Sequence, residues 1–197
     1  MFMKLLVVSV PGAGKTTVLQ YVRKKVHSVK IINTGDLVFE YAKKHFRIKN
    51  RDELRTKLSM KQQKISQDNA AKKIGKMRDK IILADTHLSI KTPAGYIPGG
   101  GTHMLKHMKP DSIILLEFRP KDVIERRRKD LSRHRDKETE EEVETQQHVN
   151  QELAFAISNE FYIPVDIVNL RFKQKKEFEH TTKAANEIVK IIKRLQK

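Results

Sequence analysis

The stretch that decides the fold is "VSVPGAGKTT", residues 8–17, which overlaps the end of the apolar run "KLLVVSV" (4–10). An apolar run of this length predicts a buried β-strand, and apolar residues then recur at helical spacing from Val18 to Val26. A glycine-rich turn between a strand and a helix is typical of phosphate-binding loops with the pattern G-x-x-x-x-G-K-[ST]. The stretch keeps this pattern except that Ser9 stands at the first glycine position.

The chemistry of such a loop depends mostly on its backbone, whose successive N–H groups can point into one concavity and bind phosphate oxygens. Gly12 and Gly14 permit the tight turn, Lys15 can reach the β- and γ-phosphates, and Thr16 offers a hydroxyl to Mg²⁺. Because Ser9 adds only a small side chain, we expect it to distort the loop only modestly and the loop to retain nucleotide binding. The predicted nucleotide-binding residues are Ser9, Val10, Pro11, Gly12, Ala13, Gly14, Lys15, Thr16 and Thr17.

Strand and helix patterns alternate along the rest of the chain, which predicts an α/β fold with a parallel sheet. The chain has 197 residues, enough for one domain. The turn-rich segment "PAGYIPGGG" (93–101) is predicted to be a loop. Helices at 35–46, 52–58 and 60–77 form a polar insert that is longer than a usual crossover. The five predicted strands are residues 4–10, 30–34, 80–86, 112–118 and 165–170.

The charge distribution favours a negatively charged ligand. The formal net charge is +17, and residues 1–80 hold 20 Lys and Arg against 6 Asp and Glu. Such a field attracts polyanions, but aromatic residues are not interleaved with the basic ones, so nucleotides are favoured over nucleic acid. The chain has no cysteine, which excludes disulfides and thiolate metal sites. Since no apolar run approaches the ~20 residues of a membrane span, we predict a cytoplasmic protein without a membrane partner.

Two further groups of residues suit phosphoryl transfer. Asp85 ends a buried strand, where an acid can help to hold Mg²⁺, although a turn or helix cap is the alternative role. The segment "ERRRKDLSRHRD" (125–136) offers Arg126, Arg133 and Arg135, whose guanidinium groups suit a transferring phosphoryl. Arg133 and Arg135 lie in a charged connector that resembles a closing flap. The alternative is a salt-bridged helix surface, which we expect for Arg127 and for one other arginine of the triplet 126–128.

Four stretches together resemble the adenylate kinases of the archaeal type, and with their spacing the resemblance covers nearly the whole chain. They are "VPGAGKTTVL" (10–19), "RDELRTKLSMKQQKISQDNAAKKI" (51–74), "DTHLSIKTPAGYIPG" (85–99) and "ERRRKDLSRHRD". The first is generic to P-loop kinases, whereas the third is far more specific. The resemblance implies a single P-loop kinase domain over 1–197, with a core of five parallel strands and helices on both faces. It also implies a helical AMP-binding insert at 35–78 and a short lid at 130–140.

The resemblance implies the reaction ATP + AMP ⇌ 2 ADP with Mg²⁺, and a homotrimer as the common assembly of the family. Lys15, Asp85, Arg126, Arg133 and Arg135 would act on the transferring phosphoryl. Thr16 and Asp85 would hold the magnesium ion and its waters. The residues implied for AMP are Thr34, Gly35, Arg51, Arg55, His87, Thr92, Gly95 and Tyr96.

The chain departs from the bacterial members at two places. Phe39 stands where they carry an arginine in the helix after "TG", and "THLS" (86–89) replaces their "FPRT". The arginines for the AMP phosphate must therefore come from elsewhere, and Arg51 and Arg55 in "RDELR" are the best candidates. Three alternatives stay open: a kinase of another nucleoside monophosphate, a basic nucleic-acid-binding P-loop protein, and a nucleotide-binding scaffold without turnover.

Overall fold

The computed structural model describes residues 2–92, 95–129 and 138–197. Arg133 and Arg135, and most of the predicted lid at 130–140, lie outside the described residues. Within the described part, the five predicted strands form one parallel sheet with helices on both faces, which confirms the predicted fold class. No described helix combines the length and the apolar character that crossing a bilayer requires.

Strands and helices are numbered here in chain order within the described residues. The strands are β1 (Met3–Val8), β2 (Val29–Asn33), β3 (Ile81–Thr86), β4 (Ser89–Thr92), β5 (Gly95–Pro98), β6 (Ser112–Phe118) and β7 (Val165–Leu170). The helices are α1 (Lys15–Lys25), α2 (Thr34–Phe46), α3 (Glu53–Thr56), α4 (Met60–Gly75), α5 (Thr102–Met108), α6 (Pro120–Lys129), α7 (Glu140–Phe161) and α8 (Glu179–Leu195).

The order of strands in the large sheet is β2-β3-β1-β6-β7, so β1 lies at the centre between β3 and β6. Val7 of β1 stands opposite Asp85 of β3 in the parallel register. Parallel strands end at the same edge of a sheet, and ligands of such sheets bind at that edge. The loop that follows β1 therefore meets the end of β3, although the two are separated by about 70 residues in sequence.

Hydrophobic clusters cover both faces of this sheet. Leu19 of α1 and Ile188 of α8 belong to the cluster on one face. Ile74 of α4, Met104 of α5 and Ile157 of α7 belong to the cluster on the other. Strands β3 and β6 are buried along their whole length, as expected for parallel strands with helices on both sides.

Polar side chains define where the long helices begin. The Asn33 side chain caps α2 by accepting a hydrogen bond from the backbone of its first turn. Ser59 and Gln62 form a capping box at the start of α4, and Thr139 and Glu142 form another at the start of α7. Each cap satisfies backbone N–H groups that the helix leaves unpaired, which stabilises its first turn.

Helices α2, α3 and α4 form the predicted insert between β2 and β3. A small cluster of Ala42, Ile48 and Leu58 holds it together, and Phe39 packs against this cluster. Phe39 therefore serves the packing of the insert. The assignment of this insert to AMP stays a prediction.

The structure corrects the predicted loop at 93–101. Residues 95–98 of this segment form β5, which pairs with the preceding β4 as an antiparallel hairpin in which Ile90 stands opposite Ile97, and the short helix α5 follows. Each strand has four residues, and Gly95 takes a φ of 107° that favours glycine. The segment has too few alternating apolar residues for a strand pattern to stand out among its glycines and prolines.

Candidate active site

A cavity of about 720 Å³ opens at the edge of the sheet where β1 and β3 end. Its walls come from the phosphate-binding loop, the helical insert, β4, α6 and the start of α8. All nine residues of the loop, 9–17, line it. The structure also brings several other predicted residues to this cavity, namely Thr34, Gly35, Arg51, Arg55, Asp85, His87 and Arg126.

The backbone of the loop makes the tight turn that was predicted from its two glycines. Gly12 and Gly14 have φ angles of 78° and 94°, in the left-handed region that costs glycine little. Ser9 is not among the described non-glycine residues with a positive φ. Its hydroxyl donates to the Val10 carbonyl at 3.1 Å. Serine therefore replaces the usual glycine without a strained backbone.

Lys15 is held at the junction of the two central strands. Its Nζ lies 2.7 Å from Asp85 Oδ1 and 3.2 Å from the Val7 carbonyl, and it also donates to the Thr86 carbonyl. These acceptors satisfy all three N–H donors of an ammonium group. Only 5% of the side chain is exposed. Burial lowers the pKa of Lys15, and the neighbouring Asp85 opposes that shift.

Asn33 connects this ion pair to the helical insert. Its Nδ2 donates to Asp85 Oδ2 at 3.3 Å, and its Oδ1 accepts from Arg51 Nη2 at the same distance. Sequence reasoning found the neighbouring Thr34 and Gly35 but missed Asn33. An asparagine directly before a helix is a capping signal that could have drawn attention to it.

The two arginines predicted to bind AMP both reach the cavity from the insert. Arg51 Nη1 lies 2.6 Å from Asp36 Oδ1, and an Arg55 guanidinium nitrogen lies 3.6 Å from Asp52 Oδ1. The close approach of Arg51 requires Gly35, because a Cβ there would lie 2.1 Å from Arg51 Nη2. The glycine of "NTGDL" thus makes room for a cation.

His87 is a neutral group in this cationic site. Its Nδ1 lies 2.6 Å from the Ser9 carbonyl, which can only accept, so Nδ1 carries the hydrogen. Burial, followed by the nearby Lys15 charge, lowers the pKa of His87 to about 3. The ring therefore supports the strand exit as a neutral donor at physiological pH.

Helix α6 places two arginines against the carbonyls of the loop. Arg126 Nη1 donates to Ala13 O and Arg127 Nε donates to Pro11 O, both at 2.8 Å. Arg127 also pairs with Glu138. The ion pair that was expected for Arg127 is present. The prediction that Arg127 lies on an exposed helix surface was wrong, because its side chain is 9% exposed and lines the cavity. The run "ERRRK" does not reveal which face of α6 meets the loop.

Three of the residues predicted for AMP are not among those that line the cavity. Thr92, Gly95 and Tyr96 belong to the hairpin, where the Thr92 hydroxyl donates to the Gly95 carbonyl at 2.8 Å. Residues 93 and 94 between the strands lie outside the described part. The assignment of these three residues to AMP stays a prediction. Cavity-lining residues that the sequence analysis did not identify include Gln63, Gln67, Phe118 and Phe178.

The oxygen donors predicted for magnesium both line the cavity. They are the Thr16 hydroxyl and the Asp85 carboxylate. Among the described residues, no group of three or more His, Cys, Asp or Glu side chains is placed to hold a metal. Magnesium is usually held by one or two carboxylates together with substrate phosphates and water, so this donor set fits it.

Comparison with known proteins gives one consistent family. A sequence model of the family described as "AAA domain" matches residues 8–144. A protein named adenylate kinase from Pyrobaculum aerophilum is 44% identical over 98% of both chains. Adenylate kinases of Thermoplasma acidophilum (39% identical, 96% of this chain and 98% of theirs) and Pyrococcus horikoshii (37%, 95% and 94%) also match.

The solved structures support the fold. A shikimate kinase from Bacteroides thetaiotaomicron matches with a TM-score of 0.58 at 14% identity, covering 97% of this chain and 98% of that one. A shikimate kinase from Acinetobacter baumannii matches with the same score at 13% identity, covering 98% and 93%. At such low identity the likeness concerns the architecture of the sheet and its helices.

We predict that His87 makes the stability of the fold depend on pH between about 3 and 6.5. The pKa of the ring is about 3 in the folded protein and 6.5 as an ordinary histidine, so unfolding takes up a proton in this window. The contribution of the neutral ring is complete above pH 6.5 and is lost as the pH falls toward 3. His87→Asn keeps a donor for the Ser9 carbonyl and removes this titration.

The free energy of unfolding in urea, measured for both proteins across this window, checks the prediction. The wild-type protein should lose more stability on acidification than the variant. Parallel curves would show that His87 does not titrate as its burial implies.

Proposed function

The chain belongs to the adenylate kinase family, and we propose that it catalyses the reversible reaction ATP + AMP ⇌ 2 ADP in the cavity described above. It is an ATP:AMP phosphotransferase that balances the adenine nucleotide pools. The observation that supports this most is that one cavity carries two separate cationic walls. Lys15, Arg126 and Arg127 lie beside the loop, and Arg51 and Arg55 come from the insert.

The loop wall suits the phosphates of ATP. Helix α1, all of whose residues are described, carries no acid in its first turn, so its N-terminus offers N–H groups and a partial positive charge to an anion. The start of α8 continues this side of the cavity through Phe178 and Thr181. We place the adenosine of ATP along α8, because that path starts at the loop and leads away from the insert.

The insert wall suits AMP. Arg51 and Arg55 can bind a monophosphate through bidentate hydrogen bonds. The Thr34 hydroxyl is buried in the same wall and has no hydrogen-bond partner among the described residues. A buried hydroxyl without a partner is costly unless a ligand pairs with it. We therefore assign Thr34 to a polar group of the AMP base.

Magnesium would be held by the Asp85 carboxylate, directly or through water, and by the Thr16 hydroxyl. When bound, the ion neutralises charge on the phosphate oxygens of ATP. Asp85 is paired with Lys15 at 2.7 Å, and the Lys15 ammonium has three acceptors. For Lys15 to bind a phosphate, it must exchange one of these acceptors for a phosphate oxygen. If it leaves Asp85, that carboxylate would be free to hold the cation.

The reaction itself requires positioning and charge more than acid–base chemistry. An oxygen of the AMP phosphate attacks the γ-phosphorus of ATP, a new P–O bond forms, and the bond to the β-phosphate oxygen breaks. The attacking oxygen is already anionic, so no general base is required. Arg126 and Arg127 would stabilise the charge that spreads over the transferring phosphoryl. The same role for Arg133 and Arg135 stays a prediction.

A substrate panel tests the assignment of AMP. Coupled assays of product formation from ATP with AMP, CMP, UMP or GMP should show the highest kcat/KM with AMP. An equal or higher value with a pyrimidine nucleotide would favour a kinase of another monophosphate. No turnover with any of the four would favour a scaffold, or a nucleic-acid-binding protein if an electrophoretic shift persists at physiological salt.

Removal of the Lys15 ammonium should abolish most of this activity. Lys15→Met keeps the aliphatic chain but loses the charge, and we expect kcat to fall by about 100- to 1000-fold, as when one oxyanion donor is removed. Lys30→Met is the matched control, because Lys30 pairs with Asp79 at 3.0 Å on the exposed side of the sheet edge. The control should keep wild-type turnover. Undiminished turnover in a folded Lys15→Met protein would contradict the role of the loop.

From the family resemblance we also propose that the protein is a cytoplasmic homotrimer. The molar mass in solution, measured by light scattering after size exclusion, should be three times that of one chain. The mass of a single chain or of a dimer would contradict this assembly.

A further inference from the structure

The Arg126 guanidinium contacts three groups from different parts of the chain. Its Nη1 donates to the Ala13 carbonyl of the loop at 2.8 Å, and its Nη2 lies 2.8 Å from His180 Nδ1 on α8. Its guanidinium carbon lies 4.8 Å from the centre of the Phe118 ring. A guanidinium has five N–H donors. Within the described residues these contacts use two of them, so three can still bind phosphate oxygens.

The hydrogen-bond network assigns the tautomer of His180. Its Nε2 lies 2.8 Å from the Phe172 carbonyl, which can only accept, so Nε2 carries the hydrogen. In a neutral ring Nδ1 then has a free lone pair, and it accepts from Arg126 Nη2. An imidazolium would carry a hydrogen on Nδ1 as well and would repel the guanidinium.

The surroundings keep the ring neutral and in place. His180 is 1% exposed and packs edge-on against Phe118 and Phe172, with ring centres 5.9 and 4.5 Å away. Burial lowers the pKa of His180, and the nearby Arg126 charge lowers it further, while the hydrogen bond to Phe172 opposes the shift. Asp122 and Glu179 are the acids whose charges also reach the ring.

The arginines of the cavity differ in whether their hydrogen-bond partners are charged. Arg127 and Arg51 are held by the carboxylates of Glu138 and Asp36, which offset their positive charge. Arg126 is held by a carbonyl and an imidazole, which are neutral, and no carboxylate of the described residues forms an ion pair with it. Asp122 and Glu125 act on Arg126 through space.

We propose that His180 is a positioning residue, which holds the Arg126 guanidinium against the phosphate-binding loop through a neutral imidazole acceptor. This inference rests on the proposed function, in which Arg126 stabilises the transferring phosphoryl. A side chain that is fixed before the reaction loses less freedom in the transition state. His180 should therefore affect kcat more than the KM of AMP.

Two variants separate the two hydrogen bonds of His180. His180→Asn places an acceptor near Nδ1 and keeps the contact with Arg126, whereas His180→Gln places a donor near Nε2 and keeps the contact with Phe172. We expect His180→Asn to retain kcat within about threefold, and His180→Gln to lose about 10- to 100-fold, the effect of one hydrogen bond to a charged group. Equal rates in the two variants, or the reverse order, would overturn the proposal.

A double-mutant cycle shows whether the effect passes through Arg126. His180→Gln should slow the Arg126→Ala protein by less than about twofold, because the residue that it positions is gone. An equal loss in both backgrounds would assign His180 a structural role. Failure of the proposed function would look different, since the wild-type protein would then form no ADP from ATP and AMP. Thermal unfolding of each variant verifies that folded proteins are compared.

Discussion

The structure depends on one buried ion pair at the carboxyl edge of the sheet. Lys15 begins α1, and its ammonium is bound by Asp85 and by carbonyls of β1 and β3. A buried ammonium is costly unless each of its hydrogens has an acceptor. The two strands must therefore be neighbours with their ends level, as the parallel register of β1 and β3 places them. This constraint positions the phosphate-binding loop at the same time.

From this pair, contacts lead across the cavity to the helical insert. Lys15 contacts Asp85, Asn33 donates to Asp85, and Arg51 donates to Asn33, over distances of 2.7, 3.3 and 3.3 Å. The insert and the loop thus share a continuous polar network. Asn33 also caps α2, so the residue that starts the insert orients its arginine. A continuous network of this kind suits the proposed reaction, in which two phosphates must be aligned.

The cations of the cavity differ in how they are held. The chain has a net charge of +17, yet Arg127 and Arg51 are each paired with a carboxylate. Arg126 is held by neutral groups, and its guanidinium lies against the Phe118 ring. A guanidinium that is held by neutral groups in a partly desolvated site interacts strongly with a phosphoryl group, because no adjacent carboxylate offsets its charge. The partners of each arginine therefore matter more than the number of arginines.

The sequence by itself determined the loop, the five strands and the insert, because these depend on local periodicity and on backbone freedom at Gly12 and Gly14. It could not show that Asp85 meets Lys15, since strand order is a property of the packed sheet. It also missed the hairpin, whose strands are too short for a pattern, and it placed Arg127 on the surface. His180 lies 54 residues from Arg126, and only the tertiary placement of α8, which packs against α1 and β7, makes them partners. Contacts of this range are decided by which helix faces meet, and local sequence does not encode that choice.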